Sequence, residues 1–130
     1  MAKQNTMEER LAHLNEERAR VQAGGGEARI AKQHEKGKLT ARERIAVFTD
    51  PGSFIETGAF RKNRTTAFGM DKADMPADGV VTGHASVMGR PVYVASQDFT
   101  VVGGSAGEVH NTKVTETMES ALMNGAPFVF

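Results

Sequence analysis

The chain has 130 residues, with 16 basic and 16 acidic side chains, a net charge of zero and no cysteine. That balance gives no footing for nucleic acid or an anionic membrane, and the absence of cysteine excludes a disulfide framework and a thiolate metal site, which fits a reducing, cytoplasmic setting. The Lys- and Glu-bearing start lacks the apolar stretch of a signal peptide and no apolar run approaches the length of a membrane span, so the sequence reads as a soluble protein.

The first fifty residues carry 18 of the 32 formal charges and little apolar mass for a core. They are expected to form a charged helical extension over residues 1–50, with the compact domain starting at 51. Thr6 and Glu9 make a capping box, and Met7, Leu11, Leu14 and Val21 recur at helical spacing until Gly24-Gly25-Gly26 stops the pattern. So narrow a stripe should dock on a larger body. Glu27 to Lys36 predicts a second short helix ended by Gly37. Thr40 with Glu43 gives another capping box before Ile45, Val47 and Phe48, and Asp50-Pro51-Gly52 breaks the chain. Between residues 27 and 44, Arg29, Lys32, Lys36, Lys38, Arg42 and Arg44 stand against Glu27, Glu35 and Glu43. Such a run is either a solvated helix face with i, i+4 pairing or a landing site for ligand phosphates.

From Ser53 to Pro76 the signals are mixed. Phe54 and Ile55 predict a short strand, and Arg61-Lys62-Asn63-Arg64 is a basic loop without the interleaved aromatics that a nucleic-acid surface would want. Asp71, Asp74 and Asp78 miss the alternating oxygen ligands of a calcium loop, so no metal is expected. His13, His34, His84 and His110 are scattered with no partner at ligand spacing and read as surface or packing residues.

The last fifty residues read as the start of an α/β layer. Val80 to Val87 and Val92 to Asp98 are β-rich runs around the turn-forming Met88-Gly89-Arg90-Pro91, which predicts a hairpin. The run from Gln97 to Glu108 then passes through Gly103, Gly104 and Gly107 straight into a helix. Glycines let backbone approach a ligand closely, and a helix start offers free N–H groups and the positive end of its dipole, so an anion or polarised oxygen is the natural guest. Ser105 with Glu108 reads as a third capping box, which sets the helix start near residue 106. Val114, Met118, Ala121, Leu122 and Gly125 mark its apolar face, Asn124-Gly125 closes it, and Pro127 to Phe130 begins a buried strand. A terminus inside such a strand would leave a sheet unfinished, so the chain is expected to be the N-terminal piece of a longer protein.

Gly103-Gly104-Ser105-Ala106-Gly107 also matches the nucleophile elbow G-x-S-x-G, with Ser105 as the nucleophile of an α/β-hydrolase. In that fold the triad acid and histidine follow the serine, and few residues remain here to supply them. A hydroxyl spent on the helix cap explains Ser105 with fewer assumptions. A non-catalytic CoA- or nucleotide-binding module is a third reading.

Several ordered segments carry a resemblance: Gly24-Gly25-Gly26-Glu27, Lys32-Gln33-His34, Gly37 to Arg44, Asp78-Gly79-Val80-Val81-Thr82-Gly83 and Gln97 to Glu108. Together they resemble the N-terminal part of the biotin-dependent acyl-CoA carboxyltransferase family, which includes propionyl-CoA carboxylase β and methylmalonyl-CoA carboxytransferase large subunits. Gly58 to Lys62 and Phe68 to Lys72 lean toward the latter. The resemblance implies an α/β, crotonase-like spiral of strand-strand-helix units, incomplete here and preceded by charged helices. It implies transfer of a carboxyl group between carboxybiotin, on a separate biotin carrier, and the α-carbon of propionyl-CoA or methylmalonyl-CoA, in a homo-hexamer. The enolates formed in that chemistry are held by backbone N–H groups. Those oxyanion-hole residues are expected beyond Phe130, so no catalytic residue is assigned in this segment and it should be inactive by itself. Gly103, Gly104, Ser105 and Ala106 are the candidates for acyl-CoA contact, with Lys36, Lys38 and Arg42 as phosphate partners. No metal is implied.

Overall fold

The computed structural model describes residues 6–130, so the first five residues of the expected extension lie outside the description. Helix α1 (Met7–Gln22) starts at the expected capping box: the Thr6 hydroxyl accepts from the Glu9 amide while the Glu9 carboxylate accepts from the Thr6 amide. Its stripe docks only toward the C-terminal end. Val21 is buried, but Met7 and Leu11 face solvent, and Arg20 and Glu17 reach Asp74 and Lys62 instead. Helix α2 (Glu27–Glu35) follows the triple glycine. Helix α3 (Ala41–Phe48) starts at the second capping box, of Thr40 and Glu43, and turns Ala41 and Ile45 into the core.

A four-stranded sheet follows, made of β1 (Ile55–Thr57), β2 (Val80–Val87), β3 (Arg90–Gln97) and β4 (Phe128–Val129), in that spatial order. The first three pair antiparallel, and β4 joins β3 in parallel through Tyr93–Phe128 and Val94–Val129. The hairpin turn is tighter than expected. Only Met88 and Gly89 form it, with φ of 50° and 77°, the left-handed pair that a two-residue turn between twisted strands requires. Pro91 therefore lies inside β3 opposite Ser86, whose backbone turns the other way, taking a bond from the Asp50 amide and giving one to the Ser53 hydroxyl. Asp50 ties the α3–β1 break to the hairpin. Its carboxylate accepts from the Ser86 hydroxyl and the Gly89 and Met88 amides, which hold it below the usual carboxylate range.

Side-chain alternation splits the sheet into two faces. Val81, Ala85, Val92 and Val94 pack on Ala41 and Ile45 of α3, with Phe54 and Val87 around them. Helix α4 (Glu108–Met123) covers the other face. Here the expected apolar face is buried at Ala121 but not at Met118 or Leu122. The buried residues of α4 are Val109, His110, Lys113, Thr117 and Ala121, whereas Met118 and Leu122 are 49% and 82% exposed.

The reason is the turn Pro76–Gly79, which is wholly buried beneath α4. Buried backbone must find partners, and α4 supplies them. Lys113 Nζ donates to Ala77 O at 2.7 Å and to Val80 O at 2.5 Å, and His110 Nδ1 lies 3.0 Å from Asp78 O, which fixes the proton on that nitrogen because a carbonyl only accepts. Burial pushes the Lys113 ammonium down to about 8, only partly opposed by the charges of Glu56 and Asp78.

Helix α4 ends as expected at Asn124, followed by a left-handed Gly125. The succession β2, β3, α4, β4 is one strand-strand-helix unit followed by a parallel strand, the repeat of a crotonase-like α/β fold. Val129 of the outermost strand β4 and the following Phe130 are exposed in this chain. Among the described residues no helix is long and apolar enough to cross a membrane.

Candidate functional site: a glycine loop walled by cations

The segment between β3 and α4 runs from Asp98 to Gly107. Asp98 is buried, and its Oδ1 accepts from both the amide and the hydroxyl of Thr100, at 2.9 and 2.6 Å. The Thr100 hydroxyl in turn accepts from the amide of Gly25 at 2.9 Å. A Cβ on Gly25 would come within 1.8 Å of the Thr100 carbonyl oxygen, so only glycine permits this approach. The triple glycine was read as a helix stop. It is also the clasp that seats α2 beside the loop.

Val102, Gly103 and Gly104 follow with φ of 45°, 64° and 76°. A β-branched residue in that region is strained, and such strain collects at ligand-binding turns. The turn is closed by Gly104 N to Val101 O (2.9 Å), Ser105 N to Val102 O (3.2 Å) and the Gln97 side-chain amide to Gly104 O. The two glycines differ. Gly104 is buried and packs on Gln97 and Phe99, whereas nothing lies within 4 Å of where a Cβ on Gly103 would sit.

The third expected capping box does not form. Helix α4 starts at Glu108, its cap position is Gly107, and no side chain of the loop caps it. Glu108 pairs with Arg64 instead. The His110 amide donates to Asp78 Oδ2 at 2.7 Å, so the cap comes from a residue outside the loop. Ser105 is exposed with ordinary backbone angles, φ −58° and ψ 133°, and its hydroxyl meets no imidazole. His110, the histidine that follows it, is 1% exposed and committed to Asp78 O. The nucleophile-elbow reading fails on this geometry.

Two adjoining clefts open beside the loop. One, of 310 Å³, is walled by Arg29, Lys32, Lys36, Phe99, Val102 and Gly103. The other, of 450 Å³, is walled by Lys36, Lys38, Leu39, Arg44 and Phe99. Five of the six cations of the 27–44 run thus surround one aromatic ring that is 54% exposed, with no acidic side chain lining either cleft. Arg29 also donates to Thr100 O within the loop, and Arg44 to Gln97 O at the end of β3. Lys36 and Lys38 line these clefts. Arg42 does not: its guanidinium makes two bonds to Glu56, at 2.6 and 2.9 Å, and it belongs to the β1 side of α3. Arg44, two positions on, lines the larger cleft. Phe99 was missed, and its only sequence signal is a large aromatic between a strand end and a glycine turn.

The carboxyl transferase domain family matches residues 32–130. The chain is 64% identical over 126 residues to the methylmalonyl-CoA carboxyltransferase 12S subunit of Propionibacterium freudenreichii subsp. shermanii, covering 97% of this chain and 24% of that protein. It is 52% identical over 124 residues to the carboxyltransferase subunit of propionyl-CoA carboxylase from Haloferax mediterranei, covering 95% of this chain and 24% of that one. Superposition on a transcarboxylase 12S crystal structure with methylmalonyl-coenzyme A and methylmalonic acid bound gives a TM-score of 0.93 at 62% identity, over 98% of this chain and 25% of that chain. The chain therefore spans about a quarter of the length of the relatives it matches. With that match over most of its length and a strand-strand-helix fold shared with those structures, the chain belongs to the carboxyl transferase domain family.

Proposed function

We propose that this chain is the N-terminal part of a biotin-dependent acyl-CoA carboxyltransferase subunit, moving a carboxyl group between carboxybiotin and the α-carbon of a short-chain acyl-CoA such as propionyl-CoA. The observation that carries the reading is the meeting of the glycine loop with five cations around Phe99. Each part of that arrangement suits one part of a coenzyme A thioester. The ammonium and guanidinium groups of Lys36, Lys38 and their neighbours suit its phosphates, and the Phe99 ring offers an apolar face for the adenine. At the other end, Gly103 allows close approach of the backbone, while the Ser105 hydroxyl and the Ala106 amide donate to no protein group among the described residues. Gly104 contributes by packing.

Removal of the α-proton of the thioester places charge on its oxygen, which oriented N–H groups stabilise. No side chain of this segment is assigned to that step. The carboxyl donor is read as a separate biotin carrier protein, the setting as cytoplasmic, and the assembly as a homo-hexamer, the last by analogy with transcarboxylase 12S, which assembles as a hexamer.

The test compares two substrates in the complete subunit. Propionyl-CoA carries the nucleotide phosphates and propionyl-pantetheine lacks them. Lys36→Ala with Lys38→Ala should raise KM for propionyl-CoA about tenfold and leave that for propionyl-pantetheine unchanged. An unchanged KM for propionyl-CoA, or equal rises for both substrates, would remove these lysines from the phosphate site. Absence of any carboxyl transfer by the complete wild-type subunit would remove the function.

A further inference from the structure

Helix α4 is capped from outside its own neighbourhood. Asp78, 3% exposed, reaches the third amide of the helix, where a carboxylate both satisfies an orphan N–H and complements the dipole. It can do so because Ala77, Asp78 and Gly79 all take left-handed φ, at 53°, 50° and 71°, a run that L-residues resist. Each carbonyl from Ala77 to Val80 has a donor brought from elsewhere in the fold: Lys113 for Ala77 and Val80, His110 for Asp78, and the Asp98 amide for Gly79 at 2.8 Å.

The same turn is the floor of the glycine loop. A Cβ placed on Gly79 would lie 3.6 Å from the carbonyl oxygens of both Val101 and Ser105. The loop is thus fastened at its entrance, where Asp98 binds Gly79, and just past its exit, where His110 binds Asp78. Nothing in that scheme draws on the Ser105 hydroxyl or the Ala106 amide.

We propose that Asp78, in a turn whose Ala77 and Val80 carbonyls Lys113 holds, is a positioning residue for the acyl-CoA loop: by capping α4 from a distant turn it sets the loop's place and leaves Ser105 and Ala106 uncommitted for the ligand. A loop that capped its own helix would spend a side-chain oxygen on the helix. The inference rests on the CoA reading of the site. It adds a residue that touches no ligand yet decides how well the loop meets one.

The experiment uses the complete subunit and two readouts. In steady-state kinetics with propionyl-CoA, Asp78→Ala should raise KM about tenfold while kcat stays within about twofold of wild type. Asp78→Asn keeps an acceptor oxygen for the His110 amide and should recover most of the loss. A wild-type KM in Asp78→Ala, or Asp78→Asn as impaired as Asp78→Ala, overturns the proposal. The second readout is amide hydrogen exchange on the wild-type protein, which needs neither variant nor ligand. The Gly104 and Ser105 amides should share the protection of the His110 amide as one cooperative unit. Fast exchange at Gly104 and Ser105 beside a protected His110 overturns the proposal even if Asp78→Ala does not fold. A wild-type subunit that transfers nothing to propionyl-CoA counts against the CoA reading, and the exchange pattern still decides the role of Asp78.

Discussion

Helices α3 and α4 cover opposite faces of one sheet and do so with different chemistry. Under α3 the contact is apolar, Ala41 and Ile45 on four sheet residues, and its strength comes from surface removed from water. Under α4 the contact is polar, because that helix also covers a buried left-handed turn whose carbonyls need donors. Two helices of similar role in the fold therefore present opposite patterns. One buries the apolar Ala41 and Ile45 against the sheet, and the other buries mainly polar side chains and shows Met118 and Leu122 to solvent.

Truncating the apolar side should do the most damage. Ile45→Ala removes a buried side chain from a closed cluster and should cost about 2–5 kcal/mol, read as a lower denaturant midpoint at unchanged slope. On the polar side, Lys113→Met keeps the bulk but removes the ammonium's bonds to the carbonyls of Ala77 and Val80. It should cost about 1–3 kcal/mol, and it carries a pH signature that no apolar substitution has. The folded pKa of Lys113 is about 8, below its ordinary 10.5. In between, the unfolded chain holds a proton that the folded chain has released, so wild-type stability should rise from pH 8 toward 10.5. The burial penalty on the charged form is present in full below that window and gone above it. Lys113→Met should abolish the rise, and a wild-type profile that falls across this window would contradict the buried ammonium.

Smaller effects separate local from distant capping. Thr40→Ala removes a cap made within α3 and should cost about 1 kcal/mol. Leu122→Gln, on the side of α4 that periodicity alone would bury, should change the stability of this chain by less than about 0.5 kcal/mol. A large loss there would mean that the exposed stripe is covered.

The capping boxes show why some elements were legible and others were not. Thr6 with Glu9 and Thr40 with Glu43 formed because the partners are three residues apart, and the Glu43 carboxylate keeps its bond to the Thr40 amide while also meeting His34. Ser105 with Glu108 has the same spacing and failed, because α4 starts only at Glu108, where Asp78 bonds the His110 amide and Arg64 pairs with the Glu108 carboxylate. Both partners are more than thirty residues away along the chain, where no local pattern reaches. The same divide runs through the site. The cation run of residues 27–44 and the glycine turn are visible as composition, but which arginine lines the clefts depends on Glu56 holding Arg42. That the two segments meet at all depends on Gly25 lying against Thr100.

The central claim is that the α2 cations, Phe99 and the glycine loop form one cradle for an acyl-CoA. A crystal structure of the complete subunit with propionyl-CoA tests it most directly. The account predicts the nucleotide phosphates within hydrogen-bond reach of Lys36 or Lys38, the adenine against Phe99, and the acyl-bearing arm passing Gly103 and Ser105. A coenzyme bound elsewhere, with these clefts filled only by solvent, would contradict it.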